Sequence, residues 1–180
     1  MSPNCSMMTD TTDAAAPGGD EPHQRPPAAR SCEVEILNTS GRKLDLSWIE
    51  SNLHKALPLL PEPIARLAVR IVDDAAMRDL NRRHHSTDGT TDVLTFPNEA
   101  DDAAHRGLDV DIAICADEAF RRAAELNHRL ERELLLYIIH GLLHCAGFDD
   151  AEPAAAARMH AEEDRILRSI GVGATYEAGP

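Results

Sequence analysis

His140 and His144 stand four residues apart within Tyr137–Asp150, which reads Tyr-Ile-Ile-His-Gly-Leu-Leu-His-Cys-Ala-Gly-Phe-Asp-Asp. On a helix that spacing puts both imidazoles on one face, where they can share a single metal ion. Leu134, Leu135, Leu136, Ile138, Ile139, Leu142 and Leu143 surround them on nearly every side, and a helix apolar all round is buried. Two imidazoles buried there need partners, because an unpaired buried polar group costs roughly 1–3 kcal/mol. Gly147 is suited to stop the helix, since glycine readily takes the left-handed conformation at a helix C-terminus. The chain then turns back with Asp149 and Asp150, either of which is placed to offer a third ligand. Two His and one carboxylate leave a coordination position open for water, the construction of catalytic zinc sites. A hydrogen-bonded pair of core histidines would share the same spacing; the glycine stop and the acids beyond it favour the metal. Gly141 occupies the place of the Glu in H-E-x-x-H metalloproteases, which argues against peptide hydrolysis by a Glu base. His160, ten residues past the turn, is the rival third ligand.

The elements that must position these residues are read from hydrophobic periodicity. Cys32–Asn38 alternates apolar and polar and reads as a first strand. Residues 45–57 have helical spacing, with Leu46, Ile49, Leu53 and Leu57 on one face and Asp45 as the cap. Arg66–Val72 reads as a second strand. Asp73–His85 reads as a helix with acids at its start and bases at its end, the sense the helix dipole favours, with Asp74 as its cap. Its end, Arg82, Arg83, His84 and His85, is the only concentrated basic patch in the folded part of the sequence. Thr90–Pro97 reads as a short strand that Pro97 confines to a sheet edge or to the last rung. An edge strand beside a metal cleft can hold an extended substrate, although covering by its own loop, residues 98–107, serves equally. Leu108–Cys115 reads as a fourth strand, with Val110, Ile112 and Ile114 on one face and Asp109, Asp111 and Ala113 on the other. An acid at a sheet centre needs a partner, either a ligand His or an Arg, unless it lies at a solvated strand end. Ala116–His128 is amphipathic, Glu131 opens the site helix, and residues 152–170 form the last helix, with Met159, Ile166, Leu167 and Ile170 as its core face. The expected fold class is α+β: a small mixed four-stranded sheet packed with about five helices, one of them a zincin-like metal helix. Residues 31–172 make a single domain, between a disordered N-terminal tail over 1–30 and a C-terminal tail over 173–180.

With 180 residues the chain can bury one core, built from Leu, Ile, Val and Ala because aromatics make up only 3%. The formal net charge of −13 sits badly with broad phosphate binding, which comes from Lys and Arg. Any grip on a nucleic acid must be a local patch, or depend on the metal or on a partner. Cys5, Cys32, Cys115 and Cys145 are scattered and form no C-x-x-C pair, as suits reduced cytosolic thiols. No apolar run reaches membrane-span length and no secretory signal pattern opens the chain, so the expected location is the cytoplasm and no membrane partner is expected.

The stretch His140-Gly-Leu-Leu-His144-Cys-Ala-Gly147-Phe148-Asp149 resembles H-G-x-x-H-x-x-G-[FY]-D-H, the signature of the bacterial YbeY family of rRNA-maturation endoribonucleases. Thr90-Thr-Asp-Val-Leu-Thr-Phe-Pro97 is similar to that family's T-[DN]-V-L-S-F-P, and the likeness spans roughly residues 66–170. The resemblance implies a single-strand-specific, metal-dependent endoribonuclease acting in 16S rRNA 3′-end maturation and ribosome quality control. Single-stranded rRNA and the small ribosomal subunit would be its partners and one Zn2+ ion its cofactor. On this reading His140, His144 and Asp150 hold the metal, and His85, Asp111 and Asp149 are the catalytic candidates. Two departures matter. The third His of the family pattern falls on Asp150, and Asp can replace it as a hard, anionic ligand. A Tyr-Arg pair usual after the second helix falls on His84 and His85, and an unperturbed His is mostly uncharged at neutral pH. The family's G-D-[IL]-x-[IV] is matched at Asp111, with Val110 in the Gly place. Two alternatives stand beside this reading: a metal-dependent hydrolase of another substrate such as a peptide, and a non-catalytic ribosome-assembly factor whose metal is structural.

Overall fold

Four strands and five α-helices form among the described residues, which are 32–98 and 107–175 of a computed structural model. They follow in the order β1 Glu33–Asn38, α1 Leu46–Ala56, β2 Ile64–Val72, α2 Asp74–His85, β3 Val93–Asn98, β4 Leu108–Cys115, α3 Ala116–Glu125, α4 Leu130–Cys145 and α5 Pro153–Ser169. A short 3-10 turn, Leu57–Leu59, closes α1. The element order is the one the periodicity implies, and the fold is α+β. The tail expected over 1–30 and residues 99–106 of the loop after β3 lie outside the described residues. Of the expected C-terminal tail, 173–180, the described residues reach as far as Thr175. Its backbone N–H donates to Asp164 at 2.6 Å, and the Arg132 guanidinium meets the carbonyls of Gly173 and Ala174.

The sheet order is β1-β2-β4-β3, with β1, β2 and β4 parallel and β3 antiparallel along β4. β3 is therefore an edge strand, and Pro97, next to its last residue, costs the ladder nothing on the open side. β3 begins at Val93 rather than Thr90, because the Asp92 carboxylate takes the N–H of Val93 at 2.9 Å and the hydroxyl of Thr91 at 3.0 Å. β4, between two neighbours, is the most buried strand. Val110, Ile112 and Ile114 join the main core with Ile49 and Leu53 of α1 and with Leu134, Leu135, Ile138, Ile139, Leu142 and Leu143 of α4. The opposite face carries a smaller cluster, Val72, Met77, Leu94, Ala113 and Cys115, under α2.

The caps explain the helix bounds. Asp45 accepts from the N–H of Trp48 at 3.0 Å and opens α1 as expected. α2 is capped by Asp73, not Asp74: the Asp73 carboxylate accepts from Ala76 N–H at 2.8 Å, three residues on, where a cap must reach. Asp74 falls inside the first turn, takes two hydrogen bonds from Arg121 of α3 at 2.8 and 2.9 Å, and ties the two helices together. α3 stops at Glu125, short of His128, because Asn127 adopts the left-handed conformation (φ +54°) and His128 N–H returns to the Ala123 carbonyl. No helix among the described residues is long and apolar enough to cross a membrane.

Candidate metal centre

α4 touches α1, α3, α5, β3 and β4, and is the element around which the core closes. It approaches the sheet through Gly141. A Cβ there would stand 2.8 Å from Thr95 Cγ2, 3.2 Å from Val93 Cγ2 and 3.4 Å from Ile112 Cδ1. Glycine at this position lets β3 lie directly against the helix, beside the two histidines. α4 ends after Cys145, and Gly147 takes φ +90°. Its N–H bonds to the His144 carbonyl at 3.0 Å while Phe148 N–H bonds to the Leu143 carbonyl at 3.0 Å, a Schellman turn. The turn reverses the chain and brings Asp150 back over the helix end.

The histidine Nε2 atoms face each other 3.1 Å apart, the rings edge to face with centroids 4.6 Å apart. Asp150 offers one carboxylate oxygen to each, 3.7 Å from His140 Nε2 and 3.7 Å from His144 Nε2. Among the described residues this is the group of three His, Cys, Asp or Glu donors whose ligand atoms converge, all within 4.8 Å of one another. Two imidazole nitrogens at about 2.0–2.1 Å from a tetrahedral zinc lie about 3.3 Å apart, close to the spacing seen.

The far nitrogens fix the protons. His140 Nδ1 lies 2.6 Å from Glu163 Oε1 and His144 Nδ1 lies 3.1 Å from the Phe148 carbonyl. Both acceptors want an N–H, so each neutral ring carries its proton on Nδ1 and turns a bare Nε2 lone pair toward the other. Two lone pairs at 3.1 Å repel unless a cation lies between them or one ring carries both protons. Burial alone disfavours an imidazolium at His140, but hydrogen bonding and charge from Glu163, with Asp92 and Asp150, outweigh it and raise the pKa above 6.5. The donor set fits a divalent cation: two neutral imidazoles, one carboxylate, and an open side where His144 is 31% and Asp150 44% exposed.

The other expected site residues are placed differently. Asp111 points from β4 to the face opposite α4, because alternate residues of a strand face opposite ways. There Arg66 donates to it at 3.0 Å and to Asp109 at 2.6 Å, so of the partners expected for this acid the Arg is the one found. The structure does not bring Asp111 to the histidines. Asp149 accepts from Ala151 N–H at 3.1 Å, an Asx turn that bends the chain around Asp150. The side chain of His85 lies outside the described residues. His84 packs edge-on against Phe96, which shares the α2 face of β3 rather than the Thr95 face. The basic end of α2 is internally paired, Arg82 with Asp88 at 3.2 Å and Arg83 with Asp79. His160 is not in the converging group.

Glu163 was not anticipated, although the sequence carries a signal for it. Met159, Glu163, Ile166, Leu167 and Ile170 follow one helical stripe, so a carboxylate sits where a core residue belongs, and Glu163 is 0% exposed.

Known proteins resemble this chain over most of its length. A family model described as Endoribonuclease YbeY matches residues 35–171. A protein named Endoribonuclease YbeY from Roseiflexus sp. (strain RS-1) is 34% identical over 153 residues, covering 79% of this chain and 94% of its own length. One of the same name from Mycobacterium tuberculosis (strain H37Rv) is 35% identical over 143 residues, covering 74% and 81%. Among solved structures, the solution structure of TM1509 from Thermotoga maritima superposes with a TM-score of 0.50 at 23% identity, covering 82% of this chain and 99% of that one; this likeness speaks to the fold alone.

Proposed function

The chain belongs to the YbeY endoribonuclease family, and from that premise we propose a metal-dependent, single-strand-specific endoribonuclease acting on 16S rRNA 3′ ends and in ribosome quality control. Its cofactor is one zinc ion, its substrate rRNA of the small ribosomal subunit, and its place the cytoplasm. The observation that carries the metal dependence is the pair of Nε2 atoms 3.1 Å apart with the Asp150 carboxylate beside both. A bound divalent cation supplies Lewis acidity toward a phosphoryl oxygen and lowers the pKa of a water toward neutrality.

The chain's own residues perform the rest. His140 and His144 present Nε2 lone pairs, and the Asp150 carboxylate supplies the anionic third ligand. Glu163 and the Phe148 carbonyl keep the ring protons on Nδ1. Asp149 holds the loop bend that returns Asp150 to the site. β3, the edge strand of the sheet among the described residues and packed against α4 at Gly141, would give an extended strand backbone groups to lie along. The same packing disfavours the peptidase alternative. A Cβ at position 141 would stand 2.8 Å from Thr95 Cγ2, so a Glu base of the H-E-x-x-H arrangement there would have to displace β3.

The pairing of Arg82 with Asp88 and of Arg83 with Asp79 favours a second reading, an assembly factor whose metal is structural, because it offsets the positive charge of the basic patch at the end of α2. Metal analysis and cleavage of unstructured RNA, on the wild type and His144→Ala, separate the two. Cleavage by the zinc-loaded wild type that is lost together with the metal in the variant supports the nuclease. Stoichiometric zinc without cleavage supports the assembly factor, and full activity of the variant removes the metal-dependent mechanism.

A further inference from the structure

We propose that Glu163 is a positioning residue, one that fixes the tautomer of His140 and lends its negative charge to the metal that His140 holds. The inference rests on the metal-centre reading above and goes beyond it, because Glu163 is not itself a ligand.

Glu163 lies on the core face of α5 with Met159, Ile166 and Leu167, all at 0% exposure. A carboxylate at such a position is costly, and a leucine or methionine would fill it more stably. A structural role would call for both oxygens to be satisfied by the fold. Instead Oε1 meets His140 Nδ1 at 2.6 Å, while Oε2, also buried, finds no hydrogen-bond partner among the described residues. The one polar contact of this side chain lies directly behind a ligand nitrogen. His144 is treated differently: its Nδ1 meets the neutral Phe148 carbonyl at 3.1 Å, an acceptor supplied by the Schellman turn. The two rings are thereby made unequal. His140 is backed by an anion, which strengthens its Nε2 as a donor to a cation, and His144 is only oriented.

The test uses the full chain and zinc. Affinity is measured by competition with a chromophoric chelator for the wild type, Glu163→Gln, Glu163→Leu and the control Glu162→Gln. Gln keeps an oxygen for the Nδ1–H but loses the charge, and weakens zinc binding about 10–100-fold, the usual cost of removing such an outer partner. Leu also releases the tautomer and binds more weakly still. Glu162, paired with Arg165 on the exposed side of α5, leaves affinity unchanged when neutralised. Zinc affinity in Glu163→Gln equal to that of the wild type overturns the proposal. A wild type that binds no zinc overturns the metal-centre reading itself, so the two failures are distinct. Should the Glu163 variants not fold, imidazole 15N shifts of the metal-free wild type at about pH 8, above the ordinary imidazole range, decide. A proton on His140 Nδ1 supports the proposal, and one on Nε2 overturns it.

Discussion

An aspartate as third ligand of the proposed centre would change its charge as well as its geometry. Two neutral imidazoles and one carboxylate neutralise half of a divalent ion, and with Glu163 behind His140 the site as a whole can match it. A centre of this charge acidifies water less than one built from three imidazoles would. Asp150→Ala is therefore expected to lose about 10-fold or more in zinc affinity, by analogy with the loss of an outer partner. Asp150→His should keep or raise the affinity. Calorimetric titration of the metal-free protein checks both, and an alanine variant with wild-type stoichiometry and affinity excludes Asp150 as a ligand. At this scale the sequence was readable where spacing alone decides geometry. His140 and His144 had to share a helical face, and Gly147 had to release the chain toward Asp150. Glu163 was hidden because its partner is 23 residues away and only the packing of α5 on α4 joins them. Asp111 was misleading because strand alternation says which residues share a face but not which face a helix will cover.

Elements position those residues through two contacts that can be broken separately. At the first, α4 meets β3 at Gly141, where an added methyl would lie 2.8 Å from the branched side chain of Thr95. Gly141→Ala gains up to about 1 kcal/mol in helix propensity but forces an overpacking cost of about 1–3 kcal/mol. We expect a net loss of about 1–2 kcal/mol in urea unfolding, and weaker zinc binding as α4 is pushed off the sheet. Unchanged stability would mean that β3 is free to move. The second contact ties α2 to α3 through Asp74, whose pKa is lowered from 3.8 to about 2 chiefly by hydrogen bonds from Arg121. A depressed carboxylate stabilises above its unfolded pKa and loses that contribution as pH falls through the folded value. The advantage of the wild type over Asp74→Asn should thus be full above pH 3.8 and vanish toward pH 2. With Arg121 nearly half exposed, screening holds it to about 1 kcal/mol. Urea midpoints of the two proteins across that range test it, and a difference independent of pH would assign the effect to something other than charge. The sequence places two acids at the start of α2 but cannot say which caps, since Asp73 and Asp74 both suit the role and only Arg121 decides.

Across the whole molecule, element order was legible but strand order was not. Periodicity gives β4 after β3; that β4 inserts between β2 and β3 depends on its being apolar enough to be covered on both faces, as Ile112, Ala113 and Ile114 are. The charge of the chain bears on function at the same scale. A net charge of −13 is spread over a surface on which Arg42, Arg66, Arg82, Arg83, Arg121, Arg122, Arg129 and Arg165 are each paired with an acid. Among the described residues the basic side chains without an ion pair, Lys43, Lys55, Arg70, Arg78, Arg132 and Arg158, are scattered over separate segments of the chain rather than gathered on one element. Each neutralised phosphate of a single strand adds about −0.7 to the slope of log affinity against log salt. For this chain with zinc bound we expect a slope no steeper than about −2, that is, three phosphate contacts at most. Fluorescence anisotropy of a labelled unstructured oligoribonucleotide over a salt series measures it. A slope of about −4 or beyond would require a basic surface that the paired arginines do not supply. A shallow slope with weak binding would favour the proposal that a bound metal and contacts with a partner particle, rather than phosphate pairing by this acidic chain, hold it to RNA.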